Sequence, residues 1–415
     1  MPTTHAILAP SASKRWMTCP PSARLEAQVP SKETAYTKEG TIAHSMAETL
    51  LRICLEQKGQ LVEDFVDKFQ IAYNATQGTG KMAPLYQELA THVHQAQDEQ
   101  LDPWEMMATV LNYYCRPVFD DYLAAIGEDP DAILLVEQQL KLSEYIPEGF
   151  GSSDAVIIWG STLAVYDLKY GKGVKVSAKN NPQMKCYALG AILGPGELYD
   201  LAEIRMTIIQ PRLQWISTDE STYWDILKWA TEELKPAAVL AYQGGGDFVP
   251  GEHCRFCNVA PRCKALAAKA SQLNANRGDT ALMTNEEIAE ALINAQQLKS
   301  WLTGLEAYAL EKALEGQTFP GFKVVEGRSV RQISDQAAAM QTLEDAGFDE
   351  ASYCKPKELK TISDLEKLLK KKGFQELLGQ YVIKPQGKPA LVEESDPRPA
   401  MNSASSAAEE FKDIQ

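Results

Sequence analysis

Two aspartates and a lysine are the residues of this chain most suited to perform chemistry together. Asp154 lies in one hydrophobic, β-rich segment, and Asp167 and Lys169 lie in the next. Residues two apart on a strand face the same side, so Asp167 and Lys169 should point together, with Asp154 on a paired strand beside them. Carboxylates ligate Mg2+ or Mn2+ through oxygen, and an ammonium group can orient or help deprotonate an attacking water. A metal held here would stabilise charge that builds on a phosphodiester oxygen.

An Asp-x-Lys pair alone is a weak signal, because it also occurs as an ordinary surface ion pair. Other residues strengthen it. His44 lies on a predicted helix upstream, while Gln183 and Tyr187 lie four residues apart and therefore share one face of a later helix. Each has a simpler interpretation: His44 as a polar residue paired with Glu48, and Tyr187 as a core residue.

Cysteines form a second candidate site. Cys254, Cys257 and Cys263 follow the spacing C-x2-C-x5-C, and Cys19 lies far upstream beside two prolines. Clustered cysteines in a cytosolic protein indicate metal binding or catalysis rather than disulfides. The three local thiolates leave one corner of a tetrahedral or cubane site, which Cys19 could complete. Zinc is one candidate, with Cys19 or His253 as fourth ligand, and a four-iron cluster held by four cysteines is the other.

The remaining cysteines and the tryptophans have less specific interpretations. The lone cysteines are expected to be small buried hydrophobic residues, and they are Cys54, Cys115, Cys186 and Cys354. The tryptophans that could stack on bases, but that more often have structural roles, are Trp16, Trp215, Trp224 and Trp229.

The charge distribution restricts how the protein could contact nucleic acid. A net charge of −15 argues against attraction by the whole surface. One local strip contains lysines with no acid among them, namely Lys169, Lys172, Lys175 and Lys179. Any DNA track must therefore be local.

The candidate residues lie among alternating strands and helices. The predicted strands are 133–137, 153–159, 163–169 and 204–210, with a hairpin at Gly160-Ser161-Thr162. Asn181 and Pro182 predict the start of a helix over 183–193, and a further helix is predicted over 221–242. Residues 11–52 are expected to form two helices, the second of which is capped by Thr41. Residues 61–126 are expected to be mainly helical, with a break at Gly78-Thr79-Gly80. This pattern predicts an α/β (mixed) fold with a central mixed sheet flanked by helices.

The order of the motifs resembles the RecB-like branch of the PD-(D/E)XK nuclease superfamily. The motifs are Gly40-x3-His44, Gly151-x2-Asp154, Asp167-Leu168-Lys169 and Gln183-x3-Tyr187. Because cysteines bracket them, the likeness narrows to the iron–sulfur exonucleases, such as the AddB-type helicase–nuclease domain and the CRISPR-associated exonucleases, and to a phage and prophage family of this kind. It covers about residues 11 to 265.

The resemblance implies a PD-(D/E)XK restriction-endonuclease-like core and a role for each residue. The implied ligands of Mg2+ or Mn2+ are His44, Asp154, Asp167 and the Leu168 carbonyl. Lys169 would activate water, and Gln183 and Tyr187 would position the DNA backbone or the lysine. The implied ligands of a 4Fe–4S cluster that staples the fold are Cys19, Cys254, Cys257 and Cys263. Glu137, near the start of the sheet, is either an additional acid of the site or a surface residue.

These implications predict a divalent-metal-dependent DNA exonuclease that hydrolyses phosphodiester bonds in phage or prophage DNA recombination or processing. Its expected partners are DNA and a phage recombination or annealing protein. One alternative is a non-catalytic DNA-binding or assembly subunit that retains the nuclease fold. Another is an RNA-processing or structure-specific endonuclease that uses the same residues.

The domain organisation is expected to be tripartite. The nuclease domain is predicted over 1–268, with a helical insertion at about 55–128, followed by a mainly helical domain over 269–392 and a disordered tail over 393–415. The middle region should contain helices over 285–315 and 355–381 and a strand over 322–326. The chain has no apolar run of the ~20 residues that a membrane span needs and no secretory signal pattern, so a cytoplasmic location is expected.

Overall fold

The computed structural model describes residues 6–29, 34–58, 64–76, 83–272, 285–327, 331–355, 358–383 and 389–393. The chain divides into two compact units, Met1–Leu282 and Met283–Gln415. Both candidate sites belong to the first unit. The predicted break at 78–80 lies outside the described residues, as does the predicted tail except for residue 393.

Helices are the most numerous elements in the described part of the first unit. They are α1 (Ser13–Thr18), α2 (Pro21–Glu26), α3 (Ala35–Glu56), α4 (Phe65–Thr76), α5 (Pro84–Asp98), α6 (Pro103–Val110), α7 (Arg116–Glu128), α8 (Pro182–Ile192), α9 (Tyr223–Trp229), α10 (Lys235–Gln243) and α11 (Lys264–Gln272). A π-helical turn, Leu111–Cys115, joins α6 to α7, and a second, Ala230–Leu234, joins α9 to α10.

One five-stranded sheet lies at the centre of this unit. Its strands are β1 (Ile133–Lys141), β2 (Phe150–Trp159), β3 (Thr162–Leu168), β4 (Glu203–Gln210) and β5 (Trp215–Thr222), in that spatial order. Only β3 and β4 pair in parallel. Because parallel strands need a long crossover, α8 lies between them in sequence. The predicted hairpin between β2 and β3 is confirmed, and Gly160 supplies its positive φ of 50°.

Helices cover both faces of the sheet, and every residue of β3 is buried. Tyr166 and Leu168 belong to a hydrophobic core shared with α3, α5, α6 and α7. Val165 and Leu163 belong to a second core shared with α8 and α10. The prediction of a mixed α/β fold with a helix-flanked mixed sheet is confirmed.

The prediction for residues 11–52 is wrong in two respects. The described part of this segment contains three helices, α1 to α3, rather than two. Thr34 caps α3, not Thr41: Thr34 Oγ1 accepts from the Thr37 N–H at 3.2 Å, and Thr37 Oγ1 accepts from the Thr34 N–H at 2.8 Å. Thr41 lies inside the helix and donates to the Thr37 carbonyl. The first turns of α3 are largely exposed, so hydrophobic periodicity gave no sign of them.

The helix predicted over 221–242 is confirmed over 223–242, where α9, the π-helical turn Ala230–Leu234 and α10 follow one another without a break, but its predicted start is wrong. Its first two residues end β5, and Thr222 caps α9 by accepting from the Asp225 N–H at 3.1 Å. The strand has no fully buried residue, and its less exposed positions include Ser217 and Asp219. An edge strand with polar residues on both faces lacks the hydrophobic alternation by which strands are recognised.

In its described residues, the second unit combines helices with three two-stranded ladders. Its elements are α12 (Asn285–Leu314), β6 (Phe322–Glu326), β7 (Gln332–Ile333), α13 (Gln336–Asp345), α14 (Glu350–Tyr353), β8 (Cys354–Lys355), β9 (Glu358–Leu359), α15 (Ile362–Leu378), β10 (Val382–Ile383) and β11 (Pro389–Glu393). The predicted helix over 285–315 and strand over 322–326 are confirmed, but the helix predicted over 355–381 is shorter and kinked at Lys370. Among the described helices, none combines the length and apolar character needed to traverse a bilayer.

Candidate functional site

Asp154 and Asp167 lie opposite each other where the pairing of β2 and β3 ends. The last bridged pair before them is Ala155 with Tyr166, and one step further along an antiparallel ladder brings Asp154 across from Asp167. Asp154 Oδ2 accepts a hydrogen bond of 2.6 Å from the N–H of Leu168, the last residue of β3. The hairpin therefore holds two carboxylates side by side, and Asp167 is only 3% exposed.

Helix α3 brings His44 to the same point. His44 Nδ1 lies 3.0 Å from Asp154 Oδ1, and because a carboxylate can only accept, Nδ1 donates. Burial lowers the pKa of His44, but the charge and hydrogen bond of Asp154 outweigh it and raise that pKa from 6.5 to about 9. The imidazole of His44 is therefore in its doubly protonated, positively charged form at neutral pH. The alternative pairing with Glu48 is not observed, since Glu48 forms an ion pair with Arg52.

Asp167 is held from two directions. Lys169 Nζ lies 2.9 Å from Asp167 Oδ2 and 3.2 Å from Oδ1, and Gln183 Nε2 donates to Oδ1 at 3.1 Å. Within the described residues, buried Oδ2 has the lysine as an ion-pair neighbour but accepts no directional hydrogen bond. An acceptor oxygen left in this condition is suited to an additional cation.

The pKa values of the two carboxylates are shifted in opposite directions. Burial raises the pKa of Asp167, and the nearby charge of Lys169 only partly opposes this. Burial also acts to raise the pKa of Asp154, but the charge and hydrogen bond of His44 and the Leu168 N–H lower it below its usual value. Pairs of groups driven apart in this way occur where acid and base roles are divided.

The start of α8 positions the two helical residues that were predicted from their spacing. The side chain of Asn181 accepts from the Gln183 N–H at 3.0 Å, and Pro182 occupies the first turn, as predicted. Gln183 Nε2 also donates to the Tyr187 hydroxyl at 3.0 Å. Tyr187 is 8% exposed, and burial raises its pKa. Gln183 thus links α8 to Asp167.

Glu137 also borders the carboxylates. It lies inside β1 rather than at its end, and its flanking pairs, Val136 with Ala155 and Gln138 with Ser153, place it opposite Asp154. Its φ of 49° is rare for a residue with a side chain.

Tyr114, on the π-helical turn before α7, was not predicted at all. It is fully buried, and its hydroxyl has no hydrogen-bond partner in the described part of the chain. Burial raises its pKa well above the usual value, and the charges of Asp154, Asp167 and Glu137 add to this effect. Its hydrophobic sequence surroundings contain no signal for such a position, because a π-helical turn cannot be read from periodicity.

The predicted cysteine ligands are carried by elements that are clamped together. Cys19 follows α1, while Cys254, Cys257 and Cys263 lie in or directly after two short 3-10 turns, Glu252–Phe256 and Ala260–Arg262. Arg15 and Glu26 form an ion pair at 2.6 Å, and both reach the cysteine segment. Arg15 Nη1 donates to the Phe256 carbonyl at 2.8 Å, and Glu26 Oε1 accepts from the Asn258 N–H at 2.7 Å.

All four thiols are free. Burial is the main cause that raises the pKa of Cys254, and the nearby charges of Cys19 and Cys263 add to it. Burial followed by the charge of Glu26 raises the pKa of Cys257 to about 11. The Gly251 N–H points at Cys254 Sγ from 3.4 Å. His253, the alternative fourth ligand for zinc, has its Nε2 2.9 Å from the Val249 carbonyl.

Neither set of residues forms a ready-made metal centre. In the part of the chain that the structure describes, no three or more histidine, cysteine, aspartate or glutamate side chains already converge as metal ligands. At the carboxylate site, His44 directs its Nδ1 proton at Asp154. The donor chemistry nevertheless suits a divalent cation at the carboxylates and iron or zinc at the thiols.

Some of the tryptophans and lysines considered for contact with nucleic acid are buried, and others are exposed. Trp16 and Trp229 are buried and structural, whereas Trp224 is 75% exposed. Lys175 Nζ lies 4.4 Å from the ring centre of Trp215. Lys172, Lys175 and Lys179 are all exposed, so the lysine strip is accessible. The four lone cysteines are buried, as predicted.

The model of a family described as "Protein of unknown function (DUF2800)" matches residues 5–399. This chain belongs to that family.

Proposed function

We propose that the protein is a metal-dependent DNA exonuclease whose sheet and flanking helices form a PD-(D/E)XK-type core. The observation that supports this proposal is the meeting of Asp154, Asp167 and Lys169 at one sheet end, with Gln183 bonded to the same carboxylate. A buried acid, Asp167, beside a largely buried one, Asp154, with one partly exposed lysine, is costly to keep in a purely structural role. They are suited to charge chemistry.

The residues that would hold Mg2+ or Mn2+ are Asp154, Asp167, the Leu168 carbonyl and His44. When bound, such an ion stabilises negative charge on a phosphodiester oxygen and acidifies water. Asp167 is oriented by Gln183, and Asp154 by the Leu168 N–H. The side chain of Lys169 is 29% exposed, so its ammonium group can donate to an incoming water and orient it. His44 must release its Nδ1 proton before that nitrogen can act as a ligand.

We propose a 4Fe–4S cluster at Cys19, Cys254, Cys257 and Cys263, with zinc as the alternative. Four free thiols match the donor set of a cubane cluster without recourse to a histidine. The clamp made by Arg15 and Glu26 already joins the two ends of this segment, and a cluster would add a covalent link between them. Its role would be to staple the fold.

The nuclease proposal is tested by Asp167→Asn, which keeps the shape of the side chain and removes its charge. Full-length protein is incubated with end-labelled single- and double-stranded linear DNA and Mg2+ or Mn2+. We expect loss of at least ~100-fold in rate, the scale at which removal of a transition-state electrostatic group acts, with an unchanged unfolding midpoint. Asp247→Asn, at an exposed loop position, is the matched control. Equal activity of Asp167→Asn and wild type would refute the assignment, and DNA binding without hydrolysis in any metal would favour a non-catalytic subunit.

The cluster proposal is tested by anaerobic purification. Wild-type protein should be brown, with broad visible absorption, and Cys257→Ser should lose the colour, whereas Cys354→Ser should retain it. Colourless wild-type protein that contains stoichiometric zinc would reject iron in favour of zinc.

A further inference from the structure

A cavity of about 290 Å³ is lined by Tyr113 and Tyr170, each of which adjoins a residue of the candidate site in sequence, and it has no role in the proposal above. Its walls come from α3, α6, the π-helical turn Leu111–Cys115, and the segments that follow β3 and β4. The wall residues that matter below are Tyr113, Tyr170, Lys172, Arg212, Glu39 and Glu105. The volume is near the lower end of small-molecule sites, about 300–1,000 Å³, so a single flat ring system suits it better than a large ligand.

Chain connectivity joins this cavity to the carboxylates. Tyr170 directly follows Lys169, and Tyr113 directly precedes Tyr114. Arg212 lies two residues beyond the end of β4, the parallel neighbour of β3. Ligands of open α/β sheets bind outside the carboxyl ends of parallel strands, and this cavity occupies that position.

One wall of the cavity is internally neutralised. The Arg212 guanidinium lies 4.9 Å from the ring centre of buried Tyr170 and forms an ion pair of 2.6 Å with Glu39. Both charged side chains are largely buried, with 17% of Arg212 and 18% of Glu39 exposed. Arg212 is therefore already matched and is poorly placed to bind a further anion.

The remaining wall offers an aromatic face with both kinds of polar group. Tyr113 is 47% exposed although its neighbour Tyr114 is fully buried. Lys172 is an exposed donor, and Glu105 is an exposed acceptor. The lining as a whole contains three carboxylates, of Glu39, Asp102 and Glu105, against two cations. That balance disfavours a phosphate and suits a neutral, flat ligand with its own donors and acceptors.

We propose that this cavity binds the nucleobase of the nucleotide next to the scissile phosphate, with the base stacked on Tyr113 and its polar edge between Lys172 and Glu105. The inference rests on the proposed nuclease function and specifies its substrate as an unpaired strand end. A base held in a duplex could not enter, so the terminal nucleotide must be splayed from its partner.

The test uses full-length Asp167→Asn protein, in which hydrolysis is suppressed, and a single-stranded oligonucleotide with 2-aminopurine at its terminal nucleotide. Stacking on Tyr113 should quench the fluorescence. Adding Tyr113→Ala should remove the quenching and weaken binding about tenfold, as expected for one base–aromatic stack. Tyr113→Phe keeps the ring and should retain both effects. An oligonucleotide with an abasic terminal site has no base to stack, so its weaker binding should be the same with or without the Tyr113→Ala change.

Three results would overturn the cavity assignment: no quenching with Tyr113 present, equal binding by Tyr113→Ala, or equally tight binding of the abasic oligonucleotide. In otherwise wild-type protein, Tyr113→Ala should raise KM for single-stranded DNA more than it lowers kcat. If the wild-type enzyme hydrolyses DNA but no quenching is observed, the cavity assignment is wrong and the nuclease function stands. Absence of hydrolysis by wild type in every metal, with quenching retained, would instead remove the nuclease function and leave a base-binding site.

Discussion

The raised pKa of His44 predicts that Mn2+ binding depends strongly on pH. In the metal-free protein, burial lowers this pKa, but Asp154 raises it to about 9. Ligation by Nδ1 requires the neutral imidazole, so at any pH below about 9 the metal must displace a proton. The apparent affinity should therefore rise with pH, because the protonated form becomes less abundant as pH approaches 9.

The magnitude follows from the one-proton exchange. Well below the pKa, each pH unit changes the fraction of neutral His44 about tenfold, so the association constant for Mn2+ should increase about 100-fold between pH 6 and pH 8. His44→Asn, whose amide does not titrate, should bind Mn2+ with a much flatter pH profile. His94, an exposed histidine on α5 that contacts Tyr73, provides the matched control: His94→Gln should keep the wild-type slope.

Loss of the electron paramagnetic resonance signal of free Mn2+ measures this binding directly at each pH. The reasoning is refuted if wild type and His44→Asn have the same slope, because the exchanged proton would then not belong to His44. A flat wild-type profile would show that Mn2+ binds without displacing the His44–Asp154 hydrogen bond.

Two predictions concern packing around the site. Gly190→Ala should destabilise the protein by about 1–3 kcal/mol, because the new methyl group would lie 2.7 Å from Leu140 Cβ between α8 and β1. Urea unfolding measures this change in the free energy of unfolding. Gly127→Ala is the control and should not destabilise the protein, because its new methyl group would meet no atom within 4 Å. Tyr114→Phe removes a buried hydroxyl without a partner in the described structure, so the free energy of unfolding should be unchanged or higher by about 1 kcal/mol. A clear loss of stability in Tyr114→Phe would reveal a hydrogen bond to that hydroxyl.

The sequence alone was sufficient for the features that depend on local signals. Continuous hydrophobic runs on either side of Gly160 define the β2–β3 hairpin, and the hairpin register then brings Asp154 opposite Asp167. Asn181 and Pro182 define the start of α8, which aims Gln183 at Asp167. In each case the information lies within about twenty residues, a range over which turn chemistry and side-chain period decide the structure.

Only the tertiary structure could decide the contacts made between distant segments. His44 and Asp154 are 110 residues apart, and Arg15 reaches the Phe256 carbonyl across 241 residues. No local pattern encodes such distances, because they follow from how α1 and α3 pack on the rest of the first unit.

The same reason explains the features that the sequence did not reveal. The polar edge strand β5 is stabilised by pairing with β4, so its own residues lack the hydrophobic alternation of a buried strand. Tyr114, whose pKa the charges of the carboxylates help to raise, lies on a π-helical turn, and its hydrophobic neighbours in sequence do not distinguish this turn from an ordinary helix. The residue types and their order thus predicted the candidate chemistry. The protonation of His44 and the opposite pKa shifts of the two aspartates arise from burial and charge in the folded chain. The cavity lined by Tyr113 and Tyr170 arises from the packing of the folded chain.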